Sequence, residues 1–174
     1  MFRLDNLIEE WATKYKPLSH SMAAEATAKD KSFWRIDTLN ESNEFVARST
    51  VAKSPCVAVS TLVDAQVCRN NRSMVEYDHT IYVLIKQTSA STTKSRTDEL
   101  QAAQLKADAD DIIQDLLAWL GEKKRTMKAL SGLELDKAEW ATIPVKYNNW
   151  WVCGLAVPVI VPRRTCVLAE RYND

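Results

Sequence analysis

The sequence predicts an α+β domain in which a mostly antiparallel sheet is packed by a long helix and an N-terminal helix. Three observations carry this expectation. Apolar residues recur at helical spacing near the N-terminus and again over about 97–123. Two β-branched runs flank CRNNRS, whose turn residues make the pair read as a hairpin. The element order is helix, strand, helix, strand, strand, long helix, strand, strand, without the regular alternation of a doubly wound sheet. The 174 residues read as a single domain with enough chain to bury a core.

Leu4, Leu7, Ile8, Trp11 and Tyr15 share one stripe of the first helix, with Glu9, Glu10 and Lys14 off it, and Pro17 closes it. HSMAAEATAKD, residues 20–30, has alanine propensity but little to bury and is expected as a second, weak helical stretch. SFWRIDTL (32–39) is a short strand, Phe33, Arg35 and Asp37 alternating against Trp34, Ile36 and Thr38. Asn40 suits the N-cap of a helix from about Glu41 to Lys53, and Pro55 lies beyond its end.

PCVAVSTLVDAQV and SMVEYDHTIYVLIKQ form the hairpin. The second run is apolar on both faces near its end, with Ile81, Val83 and Ile85 on one side and Tyr82 and Leu84 on the other. That is expected of a central strand, or of one touching a partner. SASTTKSRT is a polar connector into the long helix, which carries Leu105, Ala109, Ile112, Ile113, Leu116, Leu117 and Leu120 at helical spacing. Asp98 and Glu99 in its first turn and Lys123, Lys124 and Arg125 at its end complement the helix dipole. A loop through Ser131 and Gly132 leads to two strands, AEWATIPVKY and NNWWVCGLAVPVIVP.

Pro158 and Pro162 lie inside the last strand. Amides alternate between a strand's two sides, so both missing donors fall on one side and the other keeps its full set. The expectation is an edge strand whose open side is blunted against unplanned pairing. Residues 163–174 read as an extended tail that folds back as a short strand or pairs with a neighbour.

With 23 basic and 23 acidic residues the formal net charge is zero, which offers no argument for a nucleic-acid partner. Gly121, Gly132 and Gly154 are too scattered for a phosphate loop. Cys56, Cys68, Cys153 and Cys166 form no C-x-x-C pair and lie far along the chain from His20 and His79, so their spacing proposes no zinc site. They read as inert core thiols in a reducing cytoplasm. The amphipathic, acidic N-terminus lacks a signal peptide's apolar region, and no run approaches the ~18 apolar residues of a membrane span. A soluble, intracellular protein without cofactor or metal is expected.

Asp108, Asp111 and Asp115 form a stripe on the long helix that could hold Mg²⁺ or Ca²⁺. Nothing such as D-x-D-x-D-G completes a cage, so the stripe reads as a solvated acidic flank suited to a basic patch on a neighbouring subunit. His79, beside Asp78 and Glu76, could serve as a general base. No G-x-S-x-G turn accompanies it, and it reads as a structural or surface group, so no enzyme is expected. Trp150 and Trp151 must point to opposite faces of a strand, one into the core and the other outward or into a subunit contact. Together with Pro158, Pro162, Arg163 and Arg164 they make up the expected subunit interface. Two arginines alone do not make a DNA site.

FWRID, an acidic-led short helix, PCVAV, a turn, DHTIYVLIKQ, a long aspartate-rich helix and a final W-x-x-x-G resemble small neck proteins of tailed bacteriophages and prophages. The group is the tail-terminator and head–tail connector type, including members from gut Bacteroidetes phages, and the resemblance spans roughly residues 1–168. It rests on packing motifs without chemical signatures. It implies a tail-terminator-like fold and a non-enzymatic virion protein, assembled in the bacterial cytoplasm, whose copies close into a ring between portal or connector and tail proteins. By the same analogy the edge strands, the 88–97 connector and the terminal segments make ring and stacking contacts, while the neutral charge leaves contact with passing DNA unsupported. Two other classes carry their own expectations. A binding or adaptor domain would be a monomer with one concave apolar pocket. A small hydrolase or metal-dependent enzyme would gather His79, or the aspartates of 108–115, with other polar groups.

Overall fold

A computed structural model describes residues 3–23, 25–36, 52–60, 64–68, 74–87, 96–147 and 150–162. Helix α1 spans Leu4–Lys14, and strands β1 (Phe33–Ile36), β2 (Cys56–Ser60), β3 (Asp64–Val67) and β4 (Met74–Lys86) follow. Helix α2 covers Arg96–Thr126, and two 3₁₀ turns, Lys128–Leu130 and Leu135–Lys137, lead to β5 (Glu139–Tyr147) and β6 (Trp150–Pro162). The fold is α+β: six strands form one sheet in the order β1-β2-β4-β6-β5, with β3 also paired to β4. Only the β1–β2 pairing is parallel among the described strands; the others are antiparallel.

The centre is the β4–β6 ribbon, in which Met74 to Lys86 pair one-to-one with Pro162 to Trp150. β2 and β3 lie in succession along the other side of β4, against Ile81–Leu84 and Val75–Asp78. β4 is thus the central strand its two apolar faces anticipated, and β3 forms the expected hairpin with it.

Side-chain alternation sorts these strands into two interiors. Phe33, Val57, Val59, Ile81, Val83, Ile85, Cys153, Leu155 and Val157 face the helices. Leu4, Leu7, Ile8, Trp11 and Ala12 of α1, and Leu105, Ala109, Ile112, Ile113, Leu116 and Leu120 of α2, pack on them. Asp5 apart, the buried residues of both helices are apolar and periodic, so the helical stripe and the strand alternation meet as complementary surfaces. On the opposite face Trp34, Cys56, Ala58, Leu84 and Trp150 are buried with Ala28 and Ala52.

Two expectations are corrected. Among the described residues, 20–30 form turns and irregular chain, not a helix. The Asp30 carboxylate accepts from both the Thr27 amide, at 3.0 Å, and the Thr27 hydroxyl, at 2.8 Å. Such local side-chain bonds compete with helix formation where few apolar groups reward it. The helix expected over Glu41–Lys53 falls outside the described residues except at Ala52 and Lys53, which are irregular. The second correction concerns β6, which is internal over its first half, between β4 and β5.

Beyond the start of β5, the outer side of β6 is taken up by the 132–134 segment. Ile160 N–H donates to the Gly132 carbonyl at 2.7 Å, and the Pro158 carbonyl accepts from Glu134 N–H at 2.9 Å. Residues 158, 160 and 162 therefore aim their backbone groups outward, while 157, 159 and 161 aim at β4. Both prolines do share one side, as alternation requires. That side is occupied at Pro158, where the strand serves as an acceptor only.

Gly132 makes this closure possible, because a Cβ there would collide with the Ile160 carbonyl oxygen. Gly132→Ala is expected to cost about 2–3 kcal/mol of stability, measured by urea unfolding. At Gly121, inside α2, an added Cβ would sit 3.7 Å from Leu135 Cδ1, so Gly121→Ala is expected to be neutral or to stabilise by up to about 1 kcal/mol.

Candidate functional site

A dense group of charged side chains lies where α1 meets the end of β1. The Arg35 Nε donates to Asp5 Oδ2 at 2.8 Å, its Nη2 to Glu9 Oε2 at 2.5 Å and to Asn6 Oδ1 at 3.0 Å, and its Nη1 to Glu9 Oε1 at 3.3 Å. Arg3 holds the same Asp5 carboxylate through Nη2 at 2.7 Å. Alternation puts Arg35 on the helix-covered face with Phe33, over whose ring its guanidinium carbon sits at 5.1 Å. Asp5 interrupts the buried stripe of α1. Burial works to raise the Asp5 pKa, but the hydrogen bonds and charges of Arg3 and Arg35 outweigh it and hold the carboxyl below its ordinary value. Burial likewise works against the Arg35 charge, and Glu9 and Asp5 more than offset it.

This arrangement is a tie, not an anion site. The guanidinium fork is spent on two carboxylates and an amide, fastening α1 to β1 with directional bonds. Sequence reading missed it; the available signal was a carboxylate on the apolar face of α1 and an arginine alternating with core positions in β1.

His79 points to the helix-covered face, opposite Val157. Burial lowers its pKa, against opposing attraction from Asp5 and Asp78. No hydrogen bond of its imidazole occurs among the described residues, and the structure brings no described serine or cysteine to it as a bonded nucleophile. Cys56, completely buried, has a thiol pKa pushed far up by desolvation, which suppresses the thiolate.

The aspartates of α2 diverge. Asp108 accepts from Gln104 at 2.7 Å, while Asp110 accepts from Lys106 at 2.7 Å and from the Trp140 indole at 3.1 Å. Asp115 accepts from the Tyr15 hydroxyl at 2.7 Å, and burial together with this bond raises the Tyr15 pKa. Asp110 thereby links α2 to β5, and Asp115 links it to α1. No group of three metal-ligating side chains occurs among the described residues, and no helix in them is long and apolar enough to cross a membrane.

Of the residues expected at a subunit interface, Trp150 and Trp151 do point to opposite faces. Trp150 is only 2 % exposed, inside the chain's own second interior, and Trp151 packs partly buried against the helix-side core. Pro158 is buried and Pro162 exposed; Arg163 and Arg164 lie outside the described residues. Large apolar groups left open elsewhere are Met22, Val67, Leu100 and Trp140.

Both ends of the described sheet are stopped. Residues 139, 141 and 143 of β5 pair with β6, so the backbone groups of Trp140, Thr142 and Pro144 face outward. Pro144 has no donor, and a register shift follows between Ile143 and Tyr147. The rule applied to β6 thus operates on β5. At β1, the outward Phe33 amide donates to His20 Nδ1 at 3.3 Å.

Neither a protein-family model, nor a curated protein, nor a solved structure matches this chain.

Arg35→Ala is expected to destabilise the fold by about 2–3 kcal/mol, because Asp5 stays buried with half its partners gone. Arg35→Lys is expected to recover less than half of that, since one ammonium cannot span Asp5, Asn6 and Glu9. Chemical denaturation of the two variants checks both values.

Proposed function

We propose that this chain is a structural virion protein, the subunit of a homo-oligomeric ring in the neck of a tailed phage that joins portal or head to tail. The observation that supports the reading is a contrast between the sheet's edges and the outer surface of its covering helix. Specific devices at β5 and at the start of β1 discourage open-ended strand growth there, while apolar side chains stay exposed elsewhere. The clearest is Leu100 of α2, 67 % exposed, with Ala103, Ala107 and Ala118 following at helical spacing and the polar Asp111 and Gln114 between them, all exposed. Such a stripe allows close helix contact between copies, and a repeated heterologous contact closes into a ring when its rotation permits. The resemblance to neck proteins supplies the context, and its motifs FWRID, PCVAV, DHTIYVLIKQ and W-x-x-x-G fall on β1, β2, β4 and β6, the body of the sheet.

In this reading the mechanism is geometric. The protein makes no bonds; it presents one surface to the head and another to the tail. Mass photometry of the chain alone and mixed with portal and tail particles, followed by electron microscopy of the assembled particles, is expected to reveal a closed ring of this subunit at the neck. A chain that stays monomeric and is absent from assembled particles would overturn the reading in favour of a binding or adaptor domain. Leu100→Asp is expected to weaken ring formation at least ~tenfold while changing the stability of the isolated subunit by under ~0.5 kcal/mol.

A further inference from the structure

His20 holds an unusual position for a residue in an irregular segment: its side chain is 4 % exposed. Its own N–H donates to the Ala12 carbonyl at 3.0 Å, anchoring it to the end of α1, and its ring meets Phe33 edge-on at 5.8 Å. Nδ1 accepts two backbone amides, those of Ser32 at 3.2 Å and Phe33 at 3.3 Å. A nitrogen that accepts is bare, so the single proton of the neutral ring sits on Nε2, which lies 3.7 Å from Glu9 Oε1.

The Phe33 amide matters because of where it points. The Ser32 carbonyl accepts from Val57 N–H at 2.8 Å, across the β1–β2 pairing. A trans peptide sends the next N–H the opposite way, so the Phe33 amide leaves the sheet on its outer side. The imidazole stands where an additional strand would otherwise bind.

We propose that His20 is a proton-operated latch on the outer edge of β1. With Nδ1 bare the latch is closed; a proton on Nδ1 turns the acceptor into a donor, releases the Ser32 and Phe33 amides, and frees the 20–32 segment from the sheet. The groups that face the ring set its threshold. Burial is the largest influence and disfavours the charged ring; Glu9 on α1 favours it, while Lys31 and Arg35 oppose it. Lys53, which donates to the Ser19 carbonyl at 3.0 Å, adds positive charge beside the segment. The balance lowers the His20 pKa below its ordinary 6.5. The unfolded chain then takes up this proton more readily than the folded one, so the contribution to stability is complete above 6.5 and declines as pH falls toward the folded value. This inference does not depend on the ring reading.

The test uses the full ¹⁵N-labelled chain and its two histidines. At pH ~7.5 the His20 ring is expected to carry its proton on Nε2, with the Ser32 and Phe33 amides protected. By pH ~4.5 their protection, corrected for intrinsic exchange, is expected to fall at least ~tenfold while that of Ile81 and Val83 holds. His79→Gln should retain this response. His20→Gln, whose side-chain carbonyl accepts without titrating, should abolish it. Unchanged Phe33 protection in the wild type, a proton on Nδ1 at pH ~7.5, or a pH response surviving in His20→Gln would each overturn the latch. If His20→Gln does not fold, the two wild-type measurements decide.

Discussion

The thirteen-residue ladder between β4 and β6 is the constraint on which the rest of the structure depends. An antiparallel ladder in unbroken register commits every side chain along both strands to one face or the other, and a slip of one residue would exchange the two sets. Here both sets are apolar at one end of the ribbon. Ile81, Val83 and Ile85 must therefore meet helices while Leu84 and Trp150 fill a second interior. Adjacent Trp150 and Trp151 show the consequence most sharply: neighbours in sequence, they belong to different interiors.

A sheet built around such a ribbon has to end somewhere, and this one ends differently on its two sides. At β5 the means are covalent: Pro144 supplies no donor, and an irregular register breaks the run of outward groups. At β1 the means are tertiary, an imidazole brought back from residue 20 to occupy the amide that a further strand would use. The second half of β6 uses a third device, a short segment whose Gly132 allows backbone to approach backbone. Each device limits indiscriminate strand addition.

Several charged residues act as fasteners. Arg35 binds α1 to β1, Asp115 binds α2 to α1 through Tyr15, and Asp110 binds α2 to β5 through Trp140. These bonds are directional where apolar packing is not, so they define how the two helices lie on a surface that hydrophobic burial alone would hold less specifically. Of the aspartate stripe that reads in sequence as a solvated acidic flank, Asp108 and Asp115 take separate partners, Gln104 and Tyr15.

What the sequence determined by itself was everything that depends on local periodicity. The stripe of α1, the stripe of α2, the two-faced end of β4, the hairpin around CRNNRS and the opposed tryptophans follow from spacings of 3.6 and 2, which act within a few residues. The same reasoning put both missing donors of Pro158 and Pro162 on one side of a strand. It could not say which strand stood at the edge, because strand order depends on partners many residues away, and it took β6 for an edge where β5 and β1 hold that place. Nor could it foresee the Asp5–Arg35–Glu9 tie or the seat of His20. Those were decided only in the tertiary structure, where folding brought together side chains separated by some thirty residues and set one histidine against a backbone edge that exists only once β1 and β2 have paired.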